Sequence, residues 1–471
     1  MSSHKVLLFI LSVYALLGAA AIFFPEDGLR VGGATLNFPT ASELAESLSG
    51  KETAPKGPSP EELLAQRMAD IRQAEESRFE SFMADNPSKL WFPGDDETLL
   101  DPFFESLDGA RSKAVRILHY GDSQLEEDRI TSTIRAGLQE KFGGGGPGLL
   151  PFGRPYYTLC VSQASTADLH RSIVFGEGGK RSDGRYGVMG QCARIDTSVY
   201  TTISSVKSNT SPSRHFSRLT LLGGGAGANI KLKCGKKQYQ LSPGASGVGR
   251  IVVDLPDSSS TVRFSTWGSG DVYGIQLDDT LGVSVDNIAM RGCSGTIFTS
   301  MDAAQLRQFY QEENVRLILL QYGGNSVPYL KTDKVISNYK ESIRKQIRYV
   351  QELAPKAKII FIGPSDMAVS TEDGRIVSYR RLPELVDSLK ATALASDAAY
   401  WDLYRMMGGK NSMSQWVRHK PAYAGPDYVH FTSAGAKVVG ETLSRSFLTY
   451  YDFYDLRKTL PAAAVEQSMG R

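Results

Sequence analysis

The chain has 471 residues, a formal net charge of +2 and 41% hydrophobic residues, which suits a globular protein of two or three domains with a large core. Lys and Arg are scattered rather than clustered along the chain, so the charge pattern does not indicate a nucleic-acid-binding surface. Many of the 46 glycines lie in the middle third, where they favour a β-rich segment with frequent turns.

The N-terminus carries an uncharged apolar stretch, Val6 to Pro25, of about the length needed to cross a bilayer. Sparse positive charge before it favours an N-terminus in the cytoplasm. Small residues from Gly18 to Ala21 offer the alternative of a cleaved signal peptide, but apolar residues continue beyond them and favour an uncleaved anchor. We predict that residues 1–25 are a membrane anchor or signal segment and that the rest of the chain is exported.

Residues 26–96 are predicted to be a linker followed by a polar helix. Gly, Ser, Pro and Thr dominate residues 26–60, which is the composition of a linker. Glu61 to Asp85 has charged helical spacing with few apolar positions, so it indicates a surface helix or stalk.

A strand–turn–helix pattern begins at about residue 97. Ala114 to Tyr120 is an apolar run of strand length, and helical spacing follows from Asp128 to Glu140. The alternation returns late in the chain, which indicates a parallel sheet with helices on both faces. Residues 97–151 and 281–450 are therefore predicted to be two parts of one α/β domain, and residues 451–471 a C-terminal tail.

Residues 152–280 have a different residue pattern from the segments on either side. Short alternating runs are separated there by Gly, Ser, Pro and Asp, a pattern that predicts a β-sandwich inserted into the α/β domain.

Ser123 is the candidate nucleophile. It lies in Gly121-Asp122-Ser123-Gln124, at a predicted strand-to-helix turn, which places its hydroxyl at the carboxyl edge of the sheet. The following helix contributes a favourable dipole and free backbone N–H groups near the reacting oxygen. Taken alone, the tripeptide Gly121-Asp122-Ser123 also occurs by chance, with its serine on the protein surface.

Asp427 and His430 supply the groups that a serine nucleophile needs. At this spacing the carboxylate can accept from one imidazole nitrogen while the other nitrogen faces a serine hydroxyl. Among the six histidines only His430 has this context. The alternative is that Asp427 partly caps the next helix and His430 is a surface residue.

Candidate oxyanion donors lie after two other strands. Asn325, in Gly323-Gly324-Asn325, can point its amide into the same crevice as Ser123. Gly292 can donate a backbone N–H group, with Gly295 as the nearby alternative. The backbone N–H group of Ser123 itself is the third candidate donor.

This ordered set resembles the SGNH hydrolase superfamily, the GDSL-type lipases and esterases, which are named for one catalytic residue in each of four blocks. The four residues would be Ser123, Gly292, Asn325 and His430, with Asp427 completing the triad. Gln124 replaces the Leu of the GDSL motif, and Ser326 replaces the Asp that follows Asn in many relatives. The resemblance implies a three-layer, flavodoxin-like parallel-sheet hydrolase domain.

The combination of a β-rich insert and an exported location is similar to that of bacterial peptidoglycan O-acetylesterases. In those proteins the insert resembles a carbohydrate-binding module. The resemblance implies a periplasmic serine esterase, anchored in the inner membrane, that removes acetyl groups from a cell-envelope glycan. A transacetylase with the same triad and a non-catalytic glycan-binding protein are the alternatives. Aromatic residues of the insert are candidates for stacking on sugar rings, with the sandwich core as the alternative place for each: Tyr156, Tyr157, Tyr186 and Trp267.

No metal or cofactor is expected, because HExxH is absent and the glycine run Gly143 to Gly146 lacks the Lys-Ser or Lys-Thr of a phosphate loop. The cysteines match no zinc spacing and are interpreted as incidental thiols, with a disulfide between two of the first three as the alternative. They are Cys160, Cys192, Cys234 and Cys293.

Overall fold

The computed structural model describes residues 3–25, 29–31, 34–36, 38–48, 60–153, 157–176, 179–207, 209–242 and 247–459. Its N-terminal elements are α1 (Ser3–Phe23), β1 (Leu29–Val31), β2 (Ala34–Leu36), α2 (Ala41–Leu48) and α3 (Pro60–Asp85). Within α1, the span His4–Phe23 contains an 18-residue window with a mean hydropathy of 2.6, so this helix is long and apolar enough to cross a membrane.

The predicted linker contains regular structure, which corrects that prediction. The strands β1 and β2 form an antiparallel pair, and α2 begins at a capping box that composition did not reveal. There the Thr40 N–H donates to Glu43 Oε2 at 2.8 Å, and the Glu43 N–H donates to Thr40 Oγ1 at 3.3 Å. The polar helix α3 is present as predicted, but Phe79 near its end is buried against Phe453 and Tyr450 rather than exposed.

The other elements belong to a second compact unit, Glu75–Pro461. Its strands are β3 (Leu90–Trp91), β4 (Val115–Gly121), β5 (Gly148–Leu150), β6 (Val161–Ser165), β7 (Arg171–Ile173), β8 (Gln191–Ile195), β9 (Val199–Ser205), β10 (Phe216–Cys234), β11 (Lys237–Gln240), β12 (Val248–Ser259), β13 (Thr261–Asp278), β14 (Val283–Ala289), β15 (Val315–Gln321), β16 (Lys358–Ile362), β17 (Ala368–Ser370), β18 (Ile376–Ser378) and β19 (Ala399–Trp401). Its helices are α4 (Asp101–Asp108), α5 (Thr131–Phe142), α6 (Ala303–Glu312), α7 (Asp333–Leu353), α8 (Leu382–Leu394), α9 (Leu403–Met406), α10 (Ser412–Arg418) and α11 (Ser433–Thr459). Because α11 continues to Thr459, the predicted tail of residues 451–471 begins inside a helix.

The predicted parallel sheet is confirmed. Within the described residues it has six strands in the order β14-β4-β15-β16-β19-β3, and only the edge strand β3 runs antiparallel to its neighbour. Its central strands β4 and β15 are buried along nearly their whole length because both faces are covered. Ile117 packs in one core cluster with α5 and α11, whereas its neighbour Leu118 packs in another with α7 and α8.

The predicted β-rich insert is also confirmed, but it forms a single hydrogen-bonded sheet rather than two. Nine strands within the described segments, β5 to β13, join this antiparallel sheet, and the long strands β10 and β13 run through both of its halves. Their pairing register shifts between Gly224 and Asn229, where the sheet bends over its own apolar core. The sheet begins at Gly148, four residues before the predicted boundary, because β5 pairs with β13.

A buried charge cluster joins the two sheets. Arg116, on β4, donates to both carboxylate oxygens of Asp286 on β14, at 2.8 and 2.9 Å, and to Asp278 at the end of β13, at 2.5 Å. It also donates to Glu313 at 3.1 Å, and Glu313 accepts in turn from Arg250 on β12. The insert is therefore tied through ion pairs to the strand that leads to Ser123.

Candidate active site

The nucleophile turn, Asp122–Leu125, follows β4 at the carboxyl edge of the parallel sheet. A Cβ atom at Gly121 would lie 2.6 Å from the Leu125 side chain, so the close approach of this turn requires glycine there. Asp122 caps the turn, because its Oδ1 accepts from the Gln124 N–H at 3.0 Å. Ser123 is thereby presented at the sheet edge with 8% of its surface exposed.

The base loop, Asp427–Phe431, precedes α11 and meets the nucleophile turn. His430 Nε2 lies 2.9 Å from Ser123 Oγ, and His430 Nδ1 lies 2.7 Å from Asp427 Oδ2. Tyr428 takes a left-handed conformation with φ of 56°, which turns the loop tightly enough for Asp427 to reach the ring of His430. The structure thus brings together the three residues predicted as a triad.

The surroundings of Asp427 favour its charged form. Partial burial acts to raise its pKa, but hydrogen bonds from the His430 ring and from the N–H groups of Val429 and His430 outweigh it, and the pKa lies below its ordinary value. A carboxylate that stays ionised can hold Nδ1 of His430 in its protonated form, which leaves Nε2 free to accept a proton from Ser123.

Asp122 has the opposite character. Its complete burial raises its pKa to about 6, although hydrogen bonds from Gln124 and Asn325 and the charge of His430 act against that shift. Its second oxygen, Oδ2, accepts from Asn325 Nδ2 at 2.9 Å. Asp122 therefore serves this site by orienting its neighbours.

Two backbone N–H groups at the site are uncommitted. Within the described residues, neither Ser123 nor Gly292 donates its N–H group to another backbone group or side chain. Gly292 is exposed and has a φ of 77°, which a glycine adopts without strain. Gly295, by contrast, is buried against Tyr322, and its N–H group contacts Cys293 Sγ at 3.3 Å. These contacts favour Gly292 over Gly295 as a donor.

Asn325 lies beside the nucleophile turn, but its amide already has acceptors. Nδ2 donates to Asp122 Oδ2 at 2.9 Å and to Cys293 O at 3.1 Å. An amide nitrogen carries two hydrogens, so donating to an oxyanion means that one of these bonds is shared or given up. Of the two, the bond to the neutral carbonyl of Cys293 is the weaker.

A cavity of about 250 Å³ opens beside Ser123 and His430. Polar groups of Asp122 and Asn325 line it near the nucleophile, and Tyr379 lies farther along its wall. Tyr329 also lines the cavity, with 70% of its surface exposed. The cavity thus combines a polar end at the triad with an exposed aromatic ring, a lining suited to a substrate with both apolar and hydrogen-bonding surface.

The insert approaches the site at one point that sequence reasoning did not identify. A Cβ atom built on Gly292 would lie 3.5 Å from the ring of Phe175, an exposed residue that follows β7. The alternation of apolar and polar residues within short strands carries no information about this contact, because the contact joins segments that are more than a hundred residues apart.

The aromatic residues predicted to contact sugars have different environments. Tyr157 is 52% exposed and Trp267 is partly exposed, whereas Tyr156 lies outside the described residues. Tyr186 is 2% exposed and packs in the core cluster that contains Tyr120, which corrects its prediction as a sugar contact. An aromatic residue that the prediction missed, Tyr200 on β9, is 45% exposed.

Tyr200 and Trp267 lie on the same face of the antiparallel sheet. The register pairs Tyr200 with Ser265 on β13, two residues from Trp267, so the two rings are diagonal neighbours. The strand VYTTISS alternates exposed and buried residues, and this period could have identified Tyr200 from the sequence.

All four cysteines are unpaired, and burial raises the pKa of the Cys160 and Cys293 thiols to about 12. Their thiols are therefore poor nucleophiles. Among the residues that the structure describes, no group of three or more His, Cys, Asp or Glu side chains is placed to hold a metal ion.

Residues 257–438 match the model of the GDSL-like lipase/acylhydrolase family. This segment contains Gly292, Asn325, Asp427 and His430, whereas Ser123 lies before it. A comparison with curated proteins by sequence gave no match.

Among solved structures, a peptidoglycan O-acetylesterase matches with a TM-score of 0.61 and 20% identity, covering 77% of this chain and 99% of that one. A family two carbohydrate esterase from Cellvibrio japonicus matches at 11% identity and a TM-score of 0.25, covering 62% and 98% of the two chains. A carbohydrate acetylesterase from Sinorhizobium meliloti matches at 12% identity and a TM-score of 0.25, covering 35% and 78%. At a TM-score of 0.25, these last two matches do not support any conclusion about the fold.

The family match covers the end of the insert and most of the second part of the parallel-sheet domain, and the structural match covers 77% of the chain. The predicted resemblance is confirmed at this level. Residues 257–438 therefore resemble the GDSL-like lipase/acylhydrolase family, and the chain has the fold of a peptidoglycan O-acetylesterase.

Proposed function

We propose that this protein is an exported serine esterase that removes O-acetyl groups from a cell-envelope glycan, with peptidoglycan as the substrate. The observation that carries the proposal is the continuous relay from Ser123 Oγ through His430 to Asp427, at 2.9 and 2.7 Å. Its place at the carboxyl edge of a parallel sheet, in the fold of a peptidoglycan O-acetylesterase, supports the choice of substrate.

In the first half-reaction Ser123 Oγ attacks the acetyl carbonyl carbon while His430 Nε2 takes the hydroxyl proton. Asp427 stabilises the imidazolium that forms. The N–H groups of Ser123 and Gly292 donate to the oxyanion, and Asn325 redirects one N–H hydrogen bond from Cys293 O to the same oxygen. As the tetrahedral intermediate collapses, His430 returns its proton to the departing sugar oxygen.

In the second half-reaction water attacks the acetyl group on Ser123. His430 takes a proton from that water, the oxyanion occupies the same donors, and acetate leaves as Ser123 regains its proton. A transacetylase would replace this water with a sugar hydroxyl. Acetate release in the absence of an acceptor sugar therefore separates the two activities.

The polymer is held away from the reacting centre by the insert. Its exposed rings, Tyr157, Tyr200 and Trp267, offer flat apolar surface against which sugar rings stack. The wall of the cavity near Tyr329 and Tyr379 accommodates the sugar that carries the acetyl group. Binding energy from remote sugars then supports catalysis at the ester.

The helix α1 anchors the protein in the inner membrane and leaves the catalytic part in the periplasm. The long apolar helix near the N-terminus, with Lys5 at its start, supports this location. A reporter enzyme fused after residue 60 should be active only on the non-cytoplasmic side. Reporter activity in the cytoplasm would overturn the location and remove peptidoglycan as a candidate substrate.

The activity is tested with the purified full chain in detergent. Acetate release is measured from O-acetylated peptidoglycan, from the same peptidoglycan after removal of its esters with base, and from acetylated xylan. The wild type should release acetate from the first substrate fastest, and Ser123→Ala should release none above background. Equal release by the wild type and Ser123→Ala would contradict the esterase proposal, and faster release from xylan would contradict the peptidoglycan assignment.

A further inference from the structure

The triad is divided between two segments that are about three hundred residues apart in the chain. Ser123 lies on the nucleophile turn, whereas Asp427 and His430 lie on the base loop. The bond from Ser123 to His430 must break and reform in every turnover, so it cannot by itself hold the two segments in register. Other contacts must set the distance between the serine oxygen and the base.

The base loop is bonded to neighbouring segments other than the nucleophile turn. Gly425 N–H donates to His430 O at 2.8 Å, and Ala368 N–H, at the start of β17, donates to Tyr428 O at 3.1 Å. The loop is also open to solvent, since 41% of the His430 side chain is exposed. These two bonds support the loop backbone, but neither of them joins it to the segment that carries Ser123.

Gln124 makes two contacts that join these two segments. Its Nε2 donates to Val429 O at 2.7 Å, and its Oε1 accepts from the Phe431 N–H at 3.2 Å. A single side-chain amide thus bonds the backbone on both sides of His430, as a neighbouring peptide group would in a strand pair. Gln124 is 8% exposed and adjacent to Ser123, so little solvent competes for these bonds. A leucine at this position, as in the GDSL motif, makes neither bond.

Arg129 makes a second connection between the same segments. One terminal nitrogen donates to Phe431 O at 2.7 Å and the other donates to Ser123 O at 2.9 Å. Its Nε donates to Glu126 O at 2.9 Å, which fixes the plane of the guanidinium group. Because a planar guanidinium holds its donors in a rigid fork, it sets the separation of the two carbonyl groups that it bridges.

We propose that Gln124 and Arg129 form a clamp that positions His430 against Ser123, and that both are positioning residues for ester hydrolysis. The inference rests on the proposed function of the triad. Reacting atoms must meet within a narrow range of distance, and a displacement of about 1 Å lowers a rate roughly a hundredfold. Loss of the clamp leaves the three triad side chains present but widens the distribution of Ser123–His430 distances. It therefore lowers kcat more than it changes KM for a small ester.

The decisive variant is Gln124→Leu, assayed as the full chain with p-nitrophenyl acetate. We expect kcat to fall about tenfold to a hundredfold while KM changes less than about threefold. The matched control is Gln346→Leu. Gln346 is also a buried glutamine with one donated and one accepted bond, both to Thr299, at 3.2 and 3.1 Å and away from the triad. Its substitution should lower the Tm to a similar extent and leave kcat within about twofold.

Arg129 provides an independent, graded test. Arg129→Lys keeps the charge and can donate to one of the two carbonyls, whereas Arg129→Met donates to neither. We expect kcat to decrease in the order wild type, Arg129→Lys, Arg129→Met. A fluorophosphonate that labels an activated serine should react with Ser123 in the same order of rates.

The possible results separate the clamp from the proposed function. A wild type that hydrolyses the ester, together with Gln124→Leu and Gln346→Leu variants of equal kcat, would overturn the clamp and leave the esterase assignment intact. An Arg129→Met variant as active as the wild type would exclude Arg129 from the clamp and would also leave the esterase assignment intact. A wild type no more active than Ser123→Ala would instead refute the esterase assignment itself.

Discussion

The two large sheets of this protein are built by opposite rules. The strands of the parallel sheet are buried along most or all of their length, because helices cover both faces, and the carboxyl edge of this sheet carries Ser123, Gly292 and Asn325. The antiparallel sheet alternates more and less buried residues along β9 and the first part of β13, and Tyr200 and the partly exposed Trp267 lie on its open face. The parallel sheet thus holds the proposed catalytic residues at its edge, whereas the antiparallel sheet offers the open surface on which we propose that a large substrate is held.

The sharpest test of this division compares one histidine from each region. His430→Gln should lower kcat/KM for p-nitrophenyl acetate about ten-thousandfold, because no other group can take the serine proton. His215→Gln is the control, since His215 is exposed beside the antiparallel sheet and its ring Nδ1 lies 3.0 Å from Ser258 O, away from the triad. It should leave the rate within about twofold. Comparable losses of kcat/KM in both variants would contradict this division of roles between the two sheets.

The junction between the sheets should dominate stability. Arg116→Met removes the partner of three buried carboxylates, Asp278, Asp286 and Glu313, and should lower the free energy of unfolding by about 3–5 kcal/mol. Arg218→Met is the control, because Arg218 pairs with the largely exposed Asp254 and should cost less than about 1 kcal/mol. Both values come from denaturant unfolding followed by circular dichroism. A small effect of Arg116→Met would show that the ion pairs of Arg116 contribute little to holding the two sheets together.

The regions should also respond differently to acid. His119, buried on β4 between Thr131 and Gln321, has its pKa lowered from 6.5 to about 3, chiefly by burial. Its neutral ring therefore contributes stability that is fully present above pH 6.5 and is lost as the pH falls toward 3, by up to about 1.4 kcal/mol per pH unit. Unfolding measured at pH 7 and pH 5 should show a smaller acid loss for His119→Gln than for the wild type. The exposed His215→Gln should lose as much as the wild type, and identical losses in all three proteins would exclude His119 as the cause.

The smallest effects are expected on the open face of the insert. Replacing Tyr200 or Trp267 by Ala should slow acetate release from O-acetylated peptidoglycan roughly twofold to tenfold, the equivalent of about 0.5–1.5 kcal/mol. Hydrolysis of p-nitrophenyl acetate should be unchanged, because a small ester does not reach this face. Equal losses on both substrates would indicate that the insert supports the fold rather than the substrate.

The parallel sheet and the triad motifs were predictable because each depends on a local signal. Apolar runs of strand length identify strands that are buried on both faces, and a serine directly after such a run must lie at the carboxyl edge. The three-position spacing of Asp427 and His430 likewise determines their contact within one turn. By contrast, the capping box at Thr40 and the burial of Tyr186 were missed. The first was obscured by a linker-like composition, and the second depends on packing between distant segments.

The sequence by itself predicted the reaction class that we propose, because a serine after a predicted strand and a closely spaced Asp and His are the motifs of a nucleophile and its base. Tertiary structure alone decided how these parts are held, since hydrogen bonds such as those from Gln124 to Val429 and Phe431 join segments that no periodicity relates. It also decided which aromatic rings are exposed, and that Gly292 rather than Gly295 keeps an uncommitted N–H group. The physical reason is that local patterns encode the period of a strand or helix, whereas burial and hydrogen-bond partners depend on which distant elements pack together.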